Sequence, residues 1–117
     1  MNEYIKQRPL DPSFSQEGFN GYKYNLINKQ LDINYYDVFK GHDKYCSNKK
    51  STHFYYILSG EGTFKIEETI YEVKTNDLVE IPPNTSFVFA GSMKVLAIMN
   101  PPFDPDNSIA GKDNDLY

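Results

Sequence analysis

Apolar and polar residues alternate with a period of two along most of this chain, in stretches too short for helices. Residues 22–26 (Tyr-Lys-Tyr-Asn-Leu) and 31–36 (Leu-Asp-Ile-Asn-Tyr-Tyr) carry the alternation, with Asn28-Lys29-Gln30 as a polar turn between them. Successive side chains of a strand point to opposite faces, so such runs predict half-buried strands. Residues 41–52 start with Gly and stay polar, which predicts loop mixed with short strand. The aromatic and β-branched run His53-Phe-Tyr-Tyr-Ile-Leu58 follows, closed by the turn Ser59-Gly-Glu-Gly62. Residues 63–66 and 70–74 alternate again around Glu67-Glu68 and predict a hairpin. Residues 77–81, 86–90 and 94–99 complete about eight short strands, with Pro82-Pro83-Asn84 as a further turn and no amphipathic helix. Strands about ten residues apart with turns between them predict an all-β chain, an antiparallel sandwich or barrel.

The two ends differ from this body. Up to about residue 19 the chain is polar with Pro9 and Pro12, which predicts an irregular or edge-strand arm. Residues 101–117 are polar and proline-rich and predict a surface tail, so one domain spans residues 1–100. Four Asp against Lys112 put −3 of the net charge of −4 in that tail.

Composition narrows the function classes. The chain has 117 residues, enough for one core, and its ten Tyr and eight Phe supply much of the apolar volume. The single Arg8 provides no arginine cluster for a phosphate backbone, so nucleic acid is not expected as a partner. The longest apolar run, residues 95–99, is far short of the roughly 18 residues of a membrane helix, and no membrane partner is expected. The lone Cys46 excludes an intramolecular disulfide, and the N-terminus carries no secretory pattern, so a cytoplasmic location is expected. His42 and His53 are all the imidazole available for chemistry.

Three blocks carry a resemblance: Phe54-Tyr-Tyr-Ile-Leu-Ser-Gly-Glu-Gly-Thr-Phe64, Asn76-Asp-Leu-Val-Glu-Ile-Pro-Pro-Asn-Thr85, and Asn100-Pro-Pro-Phe-Asp104. In order and spacing they resemble the cupin superfamily of small antiparallel jelly-roll barrels. The resemblance implies a metal held by three His and one Glu, in the patterns G-x5-H-x-H-x3or4-E-x6-G and G-x5-P-x-G-x2-H-x3-N. Aligned on Gly60, His53 stands at the Glu position. The longer spacer puts Cys46 and Asn48 at the two His positions, and the shorter one, which also matches Gly41, puts Ser47 and Lys49 there. In the second block Asn76 and Asn84 stand for Gly, Phe87 for the metal His, and Gly91 for the final Asn. Asn tolerates left-handed backbone best after Gly, so both turns are expected to survive. Phe87 has no donor atom, and Cys46 and His53 are the two residues left that suit a metal, so no metal or other cofactor is expected.

If His53 points into the barrel, Tyr55 and Ile57 follow it inward, and Phe87 with Phe89 on another strand. The candidate pocket is then Cys46, Asn48, Lys49, His53, Tyr55, Phe87 and Phe89, with the rings either filling the core or lining a site. One reading is a metal-free cupin that binds a small, possibly carbohydrate-like molecule against those rings. A second is a metal-independent isomerase or epimerase of a sugar or sugar nucleotide, with His53 and Tyr55 or Tyr45 as base and acid. The missing arginine clamp for a pyrophosphate counts against sugar nucleotides. A third is a non-catalytic sensing module working through its surface. The resemblance also implies a homodimer, with the N-terminal arm docked on a neighbour.

Overall fold

The computed structural model describes residues 3–117; Met1 and Asn2, the start of the expected arm, lie outside the described residues. Its strands are β1 (Phe14–Ser15), β2 (Phe19–Lys23), β3 (Asp32–Val38), β4 (Lys44–Asn48), β5 (Thr52–Ile66), β6 (Thr69–Lys74), β7 (Leu78–Ile81), β8 (Phe87–Asn100) and β9 (Ser108–Asp113). One 3-10 turn, Pro105–Asn107, precedes β9. Every pairing is antiparallel. No helix among the described residues is long and apolar enough to cross a membrane.

The long strands β5 and β8 pair along their whole length and serve two sheets at once. The later half of β8 lies between β3 and the early half of β5, which also pairs β7, while β2 and β1 extend the other edge through β3. The earlier half of β8 pairs the later half of β5, which also pairs β6, and at Phe87 reaches β4 and through it β9. The runs expected as separate strands around residues 59–62 and 91–93 are therefore continuous. Glycine bends them instead of ending them: Gly62 faces Gly91 across the pair, and the register slips between Ile57 and Ser59. Gly60 (φ 90°) and Gly91 (φ 142°) have backbone that L side chains rarely adopt. A Cβ on Gly60 would lie 2.3 Å from the Ser92 carbonyl oxygen, and one on Gly91 2.5 Å from Gly62 Cα.

The turns follow the expected chemistry. Asn76 (φ 77°) and Asn84 (φ 60°) both adopt left-handed backbone where the pattern has Gly, and Glu67 (φ 53°) closes the β5–β6 hairpin. The first hairpin starts earlier than the alternation suggests, at Phe19, because Gly21 lies flat under the Phe14 ring.

Phe19, Ile57, Phe64, Ile81, Phe87, Phe89 and Val95 are sealed inside, each contributing about 1.5–3 kcal/mol by burial. The arm turns back on its own barrel, Phe14 packing edge-on against Phe19 and Tyr36 (5.9 and 5.8 Å between ring centroids). Arg8 lies between the Tyr22 and Tyr35 rings on the outer face. The segment after residue 100 corrects the expected tail. It stays exposed, but β9 pairs β4 by backbone hydrogen bonds that leave no trace in side-chain alternation.

Candidate active site

The inward positions of β3, β4, β5 and β8 converge on one aromatic cup. Tyr55 packs against Tyr36, Phe64, Phe87 and Phe89 at 5.4–6.2 Å between centroids. His53 stacks on Tyr55 with an interplanar angle of 6° and lies 5.0 Å from the Phe87 ring. Cys46, opposite Phe87 in the ladder, packs on the same cluster.

Polar tips interrupt this apolar wall. The Tyr36 and Tyr55 hydroxyls and both ring nitrogens of His53 have no hydrogen-bond partner among the described residues. Nor are they fully enclosed; the enclosed unpartnered side-chain atoms are Asn34 Oδ1 and Asn48 Nδ2. Polar groups of this kind normally find a protein or solvent partner. Burial raises both tyrosines well above their ordinary range, which keeps them protonated donors. Burial, with a smaller effect from the neighbouring His42, lowers His53 to about 4.

His42, which no alternation singles out, belongs to the same cup. It follows Gly41 after β3, and its ring stacks on Phe19 and meets Phe89 edge-on, 5.6 and 5.7 Å between centroids. Nδ1 lies 2.7 Å from the Lys44 carbonyl oxygen, an acceptor, so Nδ1 carries the hydrogen. The Lys44 N–H also approaches Nδ1, at 3.3 Å, but that longer contact gives way to the shorter one. Nε2 then presents its lone pair, 3.4 Å from the Gln16 amide nitrogen. The Gln16 Oε1 is taken by the Asp43 N–H (3.1 Å), which turns the amide donor toward the ring. Burial lowers the His42 pKa, opposed by the Lys44 carbonyl and Asp43. The result is a neutral imidazole in one tautomer, oriented by a third group, the arrangement a general base requires.

Three other sequence candidates fall elsewhere. Tyr45 points out of the barrel, because β4 turns Cys46 inward; its hydroxyl donates to Asp115 (2.5 Å) and its ring faces Lys65 and Lys112. Lys49 is exposed at the end of β4. Asn48 is buried, but its Oδ1 accepts the Lys50 and Ser51 N–H groups and caps a turn. The longer spacer thus describes the fold, with Cys46 facing in. Two surface clefts, about 420 Å³ beside Tyr24, Leu31 and Pro102 and about 400 Å³ beside Phe39, Gly91 and Tyr117, lie outside the cup.

No protein-family model and no curated protein matches the chain. Solved structures do. Pac13 from Streptomyces, a nucleoside dehydratase, is 24% identical in a form with uridine, at a TM-score of 0.81 over 96% of this chain and 88% of that one. Three such Pac13 structures with uridine carry single substitutions, two of tyrosine to phenylalanine and one of histidine to glutamine. KdgF from Halomonas sp. is 13% identical at a TM-score of 0.72, over 82% of this chain and 90% of that one. The cupin domain of Schizosaccharomyces pombe Cnp3 is 12% identical at 0.63, over 76% and 69%. The chain has the cupin fold.

The metal that the cupin pattern implies does not fit this chain's donors. Phe87 stands at one ligand position and Asn48, tied into its turn, at another. Burial pushes the Cys46 thiol up to about 12, away from the thiolate a metal needs. Among the described residues no three of His, Cys, Asp or Glu gather within reach of one ion.

Proposed function

We propose that the barrel binds a nucleoside-like small molecule, a planar base joined to a hydroxylated sugar, and acts on it through His42 as general base without a metal. The observation that carries this reading is the 2.7 Å contact of His42 Nδ1 with the Lys44 carbonyl, which assigns the hydrogen to Nδ1 and leaves the Nε2 lone pair to act, on a ring packed against Phe19 and Phe89. The half-buried Tyr36 and His53 rings offer faces for a planar base, and the Tyr36 and Tyr55 hydroxyls offer donors to its oxygens. The arginine clamp that a sugar nucleotide requires is absent, and Arg8 is occupied between two tyrosines outside the barrel. A nucleoside has no phosphate and needs no clamp. The likeness to Pac13 adds a nucleoside dehydratase on this scaffold, and the residue types replaced in its uridine forms are the types that converge here.

Elimination of water suits one well-placed base. His42 Nε2 takes a proton from a carbon beside a carbonyl; the C–H electrons become a carbon–carbon double bond as the neighbouring C–O bond breaks. The departing hydroxyl takes the proton back from His42, so the imidazole returns to its starting state and one water is lost. The 3.4 Å contact from Gln16 is long enough for substrate to displace. The alternative base, His53, titrates near 4 and is a weak acceptor at neutral pH, which counts against the sugar-isomerase reading built on it.

Uridine tests binding, and nucleosides oxidised at a sugar carbon test turnover, read by mass spectrometry as loss of one water. Calorimetry with uridine is expected to show binding at one site per chain, weakened about tenfold in Tyr55→Phe. Turnover is expected to vanish in His42→Gln and to persist in His53→Gln. No uridine binding, or equal turnover in His42→Gln, overturns the proposal.

A further inference from the structure

The C-terminal segment grips the base from behind. Asn114 is 9% exposed, and its Nδ2 donates to two carbonyls at once, His42 O at 2.8 Å and Phe89 O at 3.0 Å. The same Phe89 carbonyl accepts the His42 N–H (3.1 Å), so His42 and the β8 strand beside it close into one ring of hydrogen bonds. Asn114 is itself held: its N–H donates to Asp43 O (2.9 Å), and its Oδ1 accepts the Leu116 N–H (2.9 Å). Tyr117 adds a hydroxyl contact to His42 O (3.3 Å), and its ring lies against Gly41 and under Lys40. With Gln16 engaging the Asp43 N–H on the other side, the His42–Asp43 backbone is pinned from two directions.

We infer that Asn114 is a positioning residue for the proposed active site, fixing the His42 backbone so that its imidazole keeps one orientation in the cup. The inference rests on the reading of His42 as base. The segment is not a plain cover: a buried amide spending both its hydrogens on the carbonyls of one loop and one strand serves placement, and loss of that amide takes a donor from each, leaving His42 O only the longer Tyr117 contact and Phe89 O only the His42 N–H. A base shifted by about 1 Å loses roughly a hundredfold in rate, so the effect belongs in turnover more than in affinity.

The chain has two histidines, so nitrogen NMR of histidine-labelled protein reads each imidazole separately and needs no ligand. The groups that bear on His42 are Asp43 and Lys44 on its own loop, Gln16 from the arm, His53 across the cup and Tyr117 behind it. In the unaltered protein His42 is expected as one tautomer, hydrogen on Nδ1. In Asn114→Ala and Asn114→Asp it is expected as a tautomer mixture titrating closer to its ordinary value, while His53 stays unchanged. Turnover of any nucleoside substrate is expected to fall about a hundredfold with KM little altered. A folded Asn114→Ala protein whose His42 keeps its tautomer and titration overturns the inference. If neither variant folds, the unaltered protein decides: the Asn114 amide protons must be protected from exchange and close in space to His42, and free exchange overturns the inference equally. A protein with the expected NMR behaviour that binds no nucleoside keeps Asn114 as the pin of this loop and removes the proposed function. Nucleoside turnover untouched by Asn114→Ala does the reverse.

Discussion

The two imidazoles of the chain are buried to a similar degree and separated by what they touch. His53 stacks on Tyr55, lies against Phe87 and has no hydrogen-bond partner among the described residues, so burial keeps it neutral and lowers its pKa to about 4. The unfolded imidazole protonates near 6.5, so between those values the unfolded state binds the extra proton. The stabilisation is complete above about pH 6.5 and is lost as pH falls to about 4, by roughly 3 kcal/mol for a shift of this size. Denaturant unfolding at about pH 7 and about pH 4 measures it: His53→Phe is expected to lose less stability across that interval than the unaltered protein, and parallel losses would sink the assignment. Inward positions were legible within each strand, since period two places Tyr55 with His53 and Phe89 with Phe87 once one of each pair is known to face in. His42 was not, because it lies on a loop after Gly41 where no period applies. Asn114 was illegible for a different reason: its partners are backbone carbonyls 72 and 25 residues away.

At the scale of elements, the bend in β5 and β8 positions the cup, since it lets one pair of strands close both sheets. The glycines there looked like turn residues in the sequence, and their chemistry is the same; what differs is that the chain continues the ladder on the far side. Gly60→Ala puts a Cβ 2.3 Å from a carbonyl oxygen on left-handed backbone, and is expected to cost on the order of 1–3 kcal/mol. Urea unfolding checks this, and a midpoint unchanged from the parent would mean that the bend tolerates an ordinary residue. The β9 strand had no alternation to reveal it, because all six of its residues are exposed and its place comes from the open edge of β4.

The whole molecule combines a retained scaffold with a replaced centre. The turns at Asn76 and Asn84 and the glycine bend hold the cupin architecture, while Phe87, the capped Asn48 and the protonated Cys46 remove the donors that a cupin metal needs. In their place stand rings and unshared hydroxyls. Uridine affinity measured with and without a chelator is therefore expected to be the same, and binding that requires added metal would contradict the donor argument. The most direct measurement is a crystal structure of the protein grown with uridine. The account predicts the uracil ring against the half-buried Tyr36 and His53 rings at the mouth of the barrel, with the ribose next to His42 Nε2. Uridine in either surface cleft, with the cup closed by its own rings, would contradict it.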